Sequence, residues 1–239
     1  MIDILLPSFV LVLIIILMHT YLGIEIIKRQ IIFTDIAVGQ MAALGTAISL
    51  VFFNEKYHFL FSILFAVLTA IIIAYVSKKN KYVEAFIGIF YAFGFSSLFI
   101  VLSKSPSGME HIKELTASDI LYVDFKDVFI TFFIYLIFLS ILYFSKNYKY
   151  YEFIYFPVFA LTIVHSVSLV GVLVVFTFLI VPAFIGFLVK KEKAFIIGIA
   201  SGFILSVFAI YLAVKFDFPV GYTITSVLSF FAILLAIIK

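Results

Sequence analysis

Residues 153–189 read FIYFPVFALTIVHSVSLVGVLVVFTFLIVPAFIGFLV, 37 positions without one Asp, Glu, Lys or Arg. A helix needs roughly 20 apolar residues to cross the hydrocarbon of a bilayer. This run is too long for one crossing. It holds two helices, or one helix plus a re-entrant piece, with the break near Ser166 to Gly171.

The pattern repeats on both sides. Charge-free runs cover 4–24, 36–54, 57–77, 85–103, 128–145, 194–214 and 218–238, each of 18 to 21 residues. They predict an all-α fold, a polytopic membrane helix bundle of eight or nine crossings. Barrel strands would alternate apolar and polar residues, and these runs do not. Composition agrees: 66% of residues are apolar and 12% charged, against roughly 45–50% and about 25% in soluble domains. Soluble enzymes, disordered chains and nucleic-acid binders are excluded. With no cysteine there is no disulfide framework, thiolate site or thiol nucleophile, so metal ligands must be nitrogen or oxygen. The first run starts with Asp3 rather than basic residues, unlike a cleaved signal peptide. Residues 1–239 read as one transmembrane domain.

Lys and Arg set the orientation. If nine crossings alternate, Lys28, Arg29, Lys78, Lys79, Lys81, Lys146, Lys149, Lys190, Lys191, Lys193 and Lys239 share one side, out of 16 basic residues in all. That side is assigned to the cytoplasm, with the N-terminus outside and the C-terminus inside. The long outer segment, about 104–126, has room for a short surface helix over 109–115.

Three runs carry a small residue every fourth position: Gly39, Ala43, Ala47; Gly88, Ala92, Ser96; and Ala194, Gly198, Gly202, Ser206. Such residues stack on one helix face and let membrane helices approach closely.

Polar residues in or beside these runs need a reason, since an ionised group at a bilayer centre costs about 2.5–3.5 kcal/mol. Asp35 lies six residues beyond Arg29, roughly 9 Å along a helix, and heads the stripe Gly39, Ala43, Ala47. It reads either as a cation ligand or as a helix N-cap beside Thr34. Gln40, five positions on, lies on another face and suits an interhelical hydrogen bond. His19 and His165 carry imidazole, the commonest metal ligand, or serve as packing residues with Ser166 and Ser168 beside His165. Glu84 reads as an interfacial charge beside Lys81. Asp217 lies in the hairpin Lys215-Phe-Asp-Phe-Pro219, where a turn explains it. No P-loop pattern G-x-x-x-x-G-K-S/T and no H-E-x-x-H occurs. Gly94-Phe95-Ser96-Ser97 with His165 has some likeness to the Ser–His dyad of a rhomboid-type protease, but the glycine expected after the Ser is missing.

Five segments in register resemble the membrane subunit of ABC importers for zinc, manganese and iron(II). His19-Thr-Tyr-Leu-Gly23 followed by the stretch ending Phe33-Thr-Asp35 resembles the family's first helix, basic turn and acidic second helix. Glu84-Ala-Phe-Ile-Gly88 resembles its E/D-x-x-I-G segment. Lys104-Ser-Pro-Ser-Gly108 with Ile120-Leu-Tyr resembles its outer segment. Val170-Gly171-Val-Leu-Val-Val-Phe, then Leu179-Ile-Val-Pro182-Ala183, resembles its G-V-L-L-V…L-x-x-P-A stretch. Asp217-Phe-Pro219-Val-Gly221 resembles its late D-x-P-x-G. One departure stands out. Much of the family reads G-D-A-L-S-H in the second helix, and Gly39 occupies the His position here.

The resemblance implies alternating access, with ATP hydrolysis on a separate subunit and no enzyme activity in this chain. Its implied partners are an ABC ATPase subunit, an outer substrate-binding protein, a second copy of the chain and the lipid bilayer, with no nucleic acid. No cofactor is held permanently; a divalent metal is the cargo. Asp35, His19, Gln40, His165 and Asp217 become transient path candidates. Pro182, Phe184, Lys190, Lys191 and Lys193 become the ATPase contact. The location implied is a prokaryotic cytoplasmic membrane. The alternative from the residues alone is a self-sufficient ion-coupled transporter or channel using the same Asp and His.

Overall fold

The structure, a computed structural model, describes residues 2–54, 56–79, 82–104 and 120–239. Nine long helices occur among them: α1 (Ile2–Arg29), α2 (Thr34–Phe53), α3 (His58–Lys79), α4 (Val83–Leu102), α5 (Phe125–Ser145), α6 (Glu152–Val170), α7 (Val172–Lys190), α8 (Ala194–Phe216) and α9 (Val220–Ile238). No strand appears among the described residues. The proposed surface helix at 109–115 lies outside them.

Among the described residues eight segments are long and apolar enough to cross a membrane, which makes this a multi-pass membrane protein. One of them, Val172–Phe216, has 45 residues. A straight helix of that length would run about 68 Å, more than twice a ~30 Å hydrocarbon core. The 3-10 turn Lys191–Lys193 divides it into α7 and α8. The long run 153–189 divides at Gly171 alone, with φ 81° and ψ 158°, a region essentially closed to residues with a Cβ. The run therefore holds two 19-residue helices rather than a helix and a re-entrant piece.

The chain forms two compact units. The first comprises Met1–Gln30, Ala117–Ile137 and Leu169–Lys239; the second comprises Ile31–Thr116 and Phe138–Ser168. In the first, α7 packs against α1, α8 and α9. Small residues set these distances. A Cβ on Gly198 would stand 2.6 Å from the Pro182 carbonyl oxygen, and one on Gly202 2.9 Å from Pro182 Cγ. The stripe Ala194, Gly198, Gly202, Ser206 is buried throughout, as its spacing predicts.

In the second unit α2 packs on both α3 and α4. Gly45 backs onto the Phe61 carbonyl of α3, and Ala47 packs with Leu98 and Leu102 of α4. The other small-residue stripe, Gly88, Ala92, Ser96, behaves differently: all three are exposed, and nothing lies within 4 Å of a Cβ built on Gly88. Small residues permit close approach, but they do not create a neighbour. The dyad residue Ser96 sits on this open face.

Asp35 does not continue the first helix. Gln30 adopts φ 58°, a left-handed conformation that ends α1 at Arg29. Asp35 falls instead in the first turn of α2.

Several buried hydroxyls are satisfied inside their own helices. Thr162 donates to Val158 O (2.8 Å), Ser166 to Thr162 O (2.7 Å), Thr177 to Leu173 O (2.8 Å) and Ser206 to Gly202 O (2.7 Å). Without water in the hydrocarbon, a preceding carbonyl is the nearest partner.

Candidate functional site

Asp35 breaks that pattern of satisfaction. It is 2% exposed. Its Oδ1 has no hydrogen-bond partner. Position explains why a carboxylate can stand here. The first backbone N–H groups of a helix lack intrahelical partners, and the positive helix end favours a carboxylate by about 0.3–1 kcal/mol. The N-cap of α2 is Phe33, with no side-chain cap hydrogen bond, so Asp35 stands inside the first turn and not at the cap position that the reading beside Thr34 expected. Its Oδ1 is buried and unmatched, which costs about 1–3 kcal/mol.

The same helix start receives a second carboxylate. Phe33 N–H donates to Glu84 Oε1 at 3.2 Å, so α4 caps α2 across 51 residues of sequence. Glu84 Oε2 is buried and unmatched, and its charge acts on Asp35. Glu84 is thus more than an interfacial charge. Sequence spacing carries no signal for a cap supplied from another helix. Gln40 lies against α4, where a Cβ on Gly94 would stand 3.3 Å from Gln40 Cβ. Its Oε1 is also without a partner, so the interhelical hydrogen bond expected of Gln40 does not form through that oxygen. Among the described residues no three His, Asp or Glu side chains gather around one point.

His19 belongs to the first unit and is fully buried. Its Nδ1 lies 2.9 Å from Ile15 O. A carbonyl only accepts, so the proton is assigned to Nδ1 and Nε2 becomes the ring's acceptor. The ring tilts against buried Tyr135, with centroids 6.3 Å apart. His165, in the second unit, is half-buried on α6. Its carbonyl accepts from Ser168 Oγ at 2.7 Å, so Ser168 serves the backbone. Asp217 is the exposed C-cap of α8, with φ 55°, as the turn reading expects.

The candidate ATPase contact separates into a core part and a surface part. Pro182 is buried against Gly198 and Gly202, so its place is in helix packing. Phe184 is half-buried, while Lys190, Lys191 and Lys193 are exposed at the α7–α8 elbow. The elbow is tight because Gly186 backs onto the Ala194 carbonyl. Lys239 Nζ closes the end of α7 by donating to Leu188 O (2.5 Å) and Val189 O (3.3 Å).

The sequence matches the ABC 3 transport family over residues 1–153 and 145–239. The fold is similar to PsaBC from Streptococcus pneumoniae, solved in complex with Fab. The two share 20% identity and a TM-score of 0.74, over 97% of this chain and 90% of that one. It is also similar to a metal-chelate type ABC transporter in an inward-facing conformation. There the identity is 16% and the TM-score 0.69, over 98% of this chain and 86% of that one. A comparison with curated proteins gives no match.

Proposed function

The chain belongs to the ABC 3 transport family, and from that premise we propose that it lines the translocation pathway of an ATP-driven importer of divalent metal cations. The observation that carries this reading is Asp35, a buried carboxylate with Oδ1 unmatched. A permease performs no bond chemistry itself. It must offer a cation enough stabilisation to enter and little enough to leave. A single carboxylate oxygen in an apolar helix pair meets both needs. The unmatched oxygen favours a bare cation over a chelate, whose metal already has its ligands.

In this reading residues 1–239 act as one permease domain, paired with a second copy. An outer binding protein delivers the metal. An ATPase subunit docks at the exposed elbow lysines Lys190, Lys191 and Lys193, and Pro182 packs α7 against α8 behind them. The membrane is the cytoplasmic membrane of a prokaryote, in keeping with a chain that contains 32 Phe and is rich in Ile and Lys, as AT-rich genomes encode. His19, Gln40, His165 and Asp217 remain path candidates of lower rank, since each has a structural role open to it.

The test is metal uptake by cells carrying the whole transporter, with Asp35→Asn beside the unaltered chain. Asn keeps one side-chain oxygen and removes the charge. Uptake is expected to fall by about tenfold or more, the scale on which metal sites respond to loss of a supporting group. The variant should assemble with its ATPase in normal amount. Unchanged uptake would remove Asp35 from the path. A chain that purifies alone and transports on an ion gradient without ATP would overturn the importer reading in favour of the ion-coupled carrier.

A further inference from the structure

We infer that Glu84 is the second cation ligand of the pathway, forming with Asp35 a two-carboxylate station at the N-terminal end of α2 through which the cation leaves. The inference rests on the importer reading above and names a residue that the reading does not use.

Three observations carry it. First, both carboxylates converge on one helix start: Glu84 Oε1 accepts from Phe33 N at 3.2 Å, and Asp35 lies two residues further on. Second, each carboxylate keeps one buried oxygen with no partner, Oδ1 on Asp35 and Oε2 on Glu84, while Glu84 is fixed through its bond to Phe33 N. Buried acceptors in folded chains are nearly always matched. Two unmatched oxygens on side chains whose charges act on each other, one of them 98% buried, call for a positive ligand. Third, the exposures are graded. Asp35 is enclosed, whereas Glu84 is half-buried in the first turn of α4. In the proposed route a cation released from Asp35 passes Glu84 on its way to water.

The charges also fit the task. Two carboxylates neutralise one divalent cation. The positive end of α2 opposes that cation, which keeps the hold weak enough for release. With carboxylate oxygens as donors, the station suits the harder divalent ions.

The test uses the assembled transporter in cells, with Mn2+, Zn2+ and Fe2+ supplied separately. Three variants are compared with the unaltered chain: Glu84→Gln, Glu84→Ala and Asp35→Asn. Gln retains the oxygen that caps Phe33 and removes the charge, so it separates ligation from capping. The expected result is a maximal uptake rate lowered by about tenfold or more in Glu84→Gln. Half-saturation by the delivered metal should change little, and ATPase assembly should be intact. Mn2+ binding to the purified transporter, followed by electron paramagnetic resonance, should weaken in Glu84→Gln as it does in Asp35→Asn. If Glu84→Gln transports and binds as the unaltered chain does while Glu84→Ala fails, Glu84 is a cap alone and the inference is overturned. If the unaltered transporter imports none of the three metals, the importer reading itself fails, and that outcome is distinct from the first.

Discussion

At the scale of the residue, the informative position is the one that departs from the family pattern. Gly39 stands where much of the family has His, four residues after Asp35 and on its face of α2. Without an imidazole there, the unmatched acceptors of Asp35, Glu84 and Gln40 are all oxygen. Carboxylate and carbonyl oxygens suit manganese, whereas imidazole suits zinc. Gly39→His should therefore raise the strength with which Zn2+ competes against Mn2+ uptake. Competition curves on membranes carrying the whole transporter would measure this. An added ring in a buried position costs about 1–3 kcal/mol of stability, so the comparison belongs at equal amounts of assembled protein. An unchanged zinc-to-manganese ratio would mean that the face of Gly39 does not look onto the cation. Asp35 was legible in the sequence because a charge at the head of an apolar run stands out. Glu84 was not, because its contact with Phe33 joins two helices and depends on packing that no local spacing encodes.

At the scale of the element, backbone exceptions decide where helices stop. Gly171 is the clearest. Its φ and ψ fall where a Cβ is strained by about 1–3 kcal/mol, and the residue separates two 19-residue helices. Gly171→Ala should lower thermal stability by about that amount without altering helix content, as read by circular dichroism and detergent melting. A melt equal to that of the unaltered chain would mean that the break does not need glycine. The number and approximate limits of the helices were readable because charge-free runs of bilayer length are long, redundant signals. Two features were less readable. The end of α1 depends on a left-handed Gln30, and glutamine gives no warning of that conformation. The exposed stripe Gly88, Ala92, Ser96 has the same spacing as the buried one on α8. Spacing describes a face without saying what stands opposite.

At the scale of the whole molecule, the distribution of charge orients the chain. In the first unit, Lys239 meets the carbonyls of Leu188 and Val189, which brings the C-terminal end of α9 to the elbow that carries Lys190, Lys191 and Lys193. At the other end of α8 lies the turn with Asp217 and Phe218. Between elbow and turn runs the 23-residue α8, about 34 Å long at ~1.5 Å per residue, enough to cover the ~30 Å hydrocarbon core. The two ends are therefore expected to face opposite aqueous sides, and the positive-inside rule predicts a cytoplasmic elbow. The chain contains no cysteine, so a single introduced one is the sole site for a thiol label. Lys191 and Phe218 are both exposed and lie outside the carboxylate station. A membrane-impermeant maleimide should label Phe218→Cys in intact cells and leave Lys191→Cys unlabelled until the membrane is opened. Inside-out vesicles should give the reverse. The opposite pattern would put the elbow on the side without ATP and sink the proposed ATPase contact.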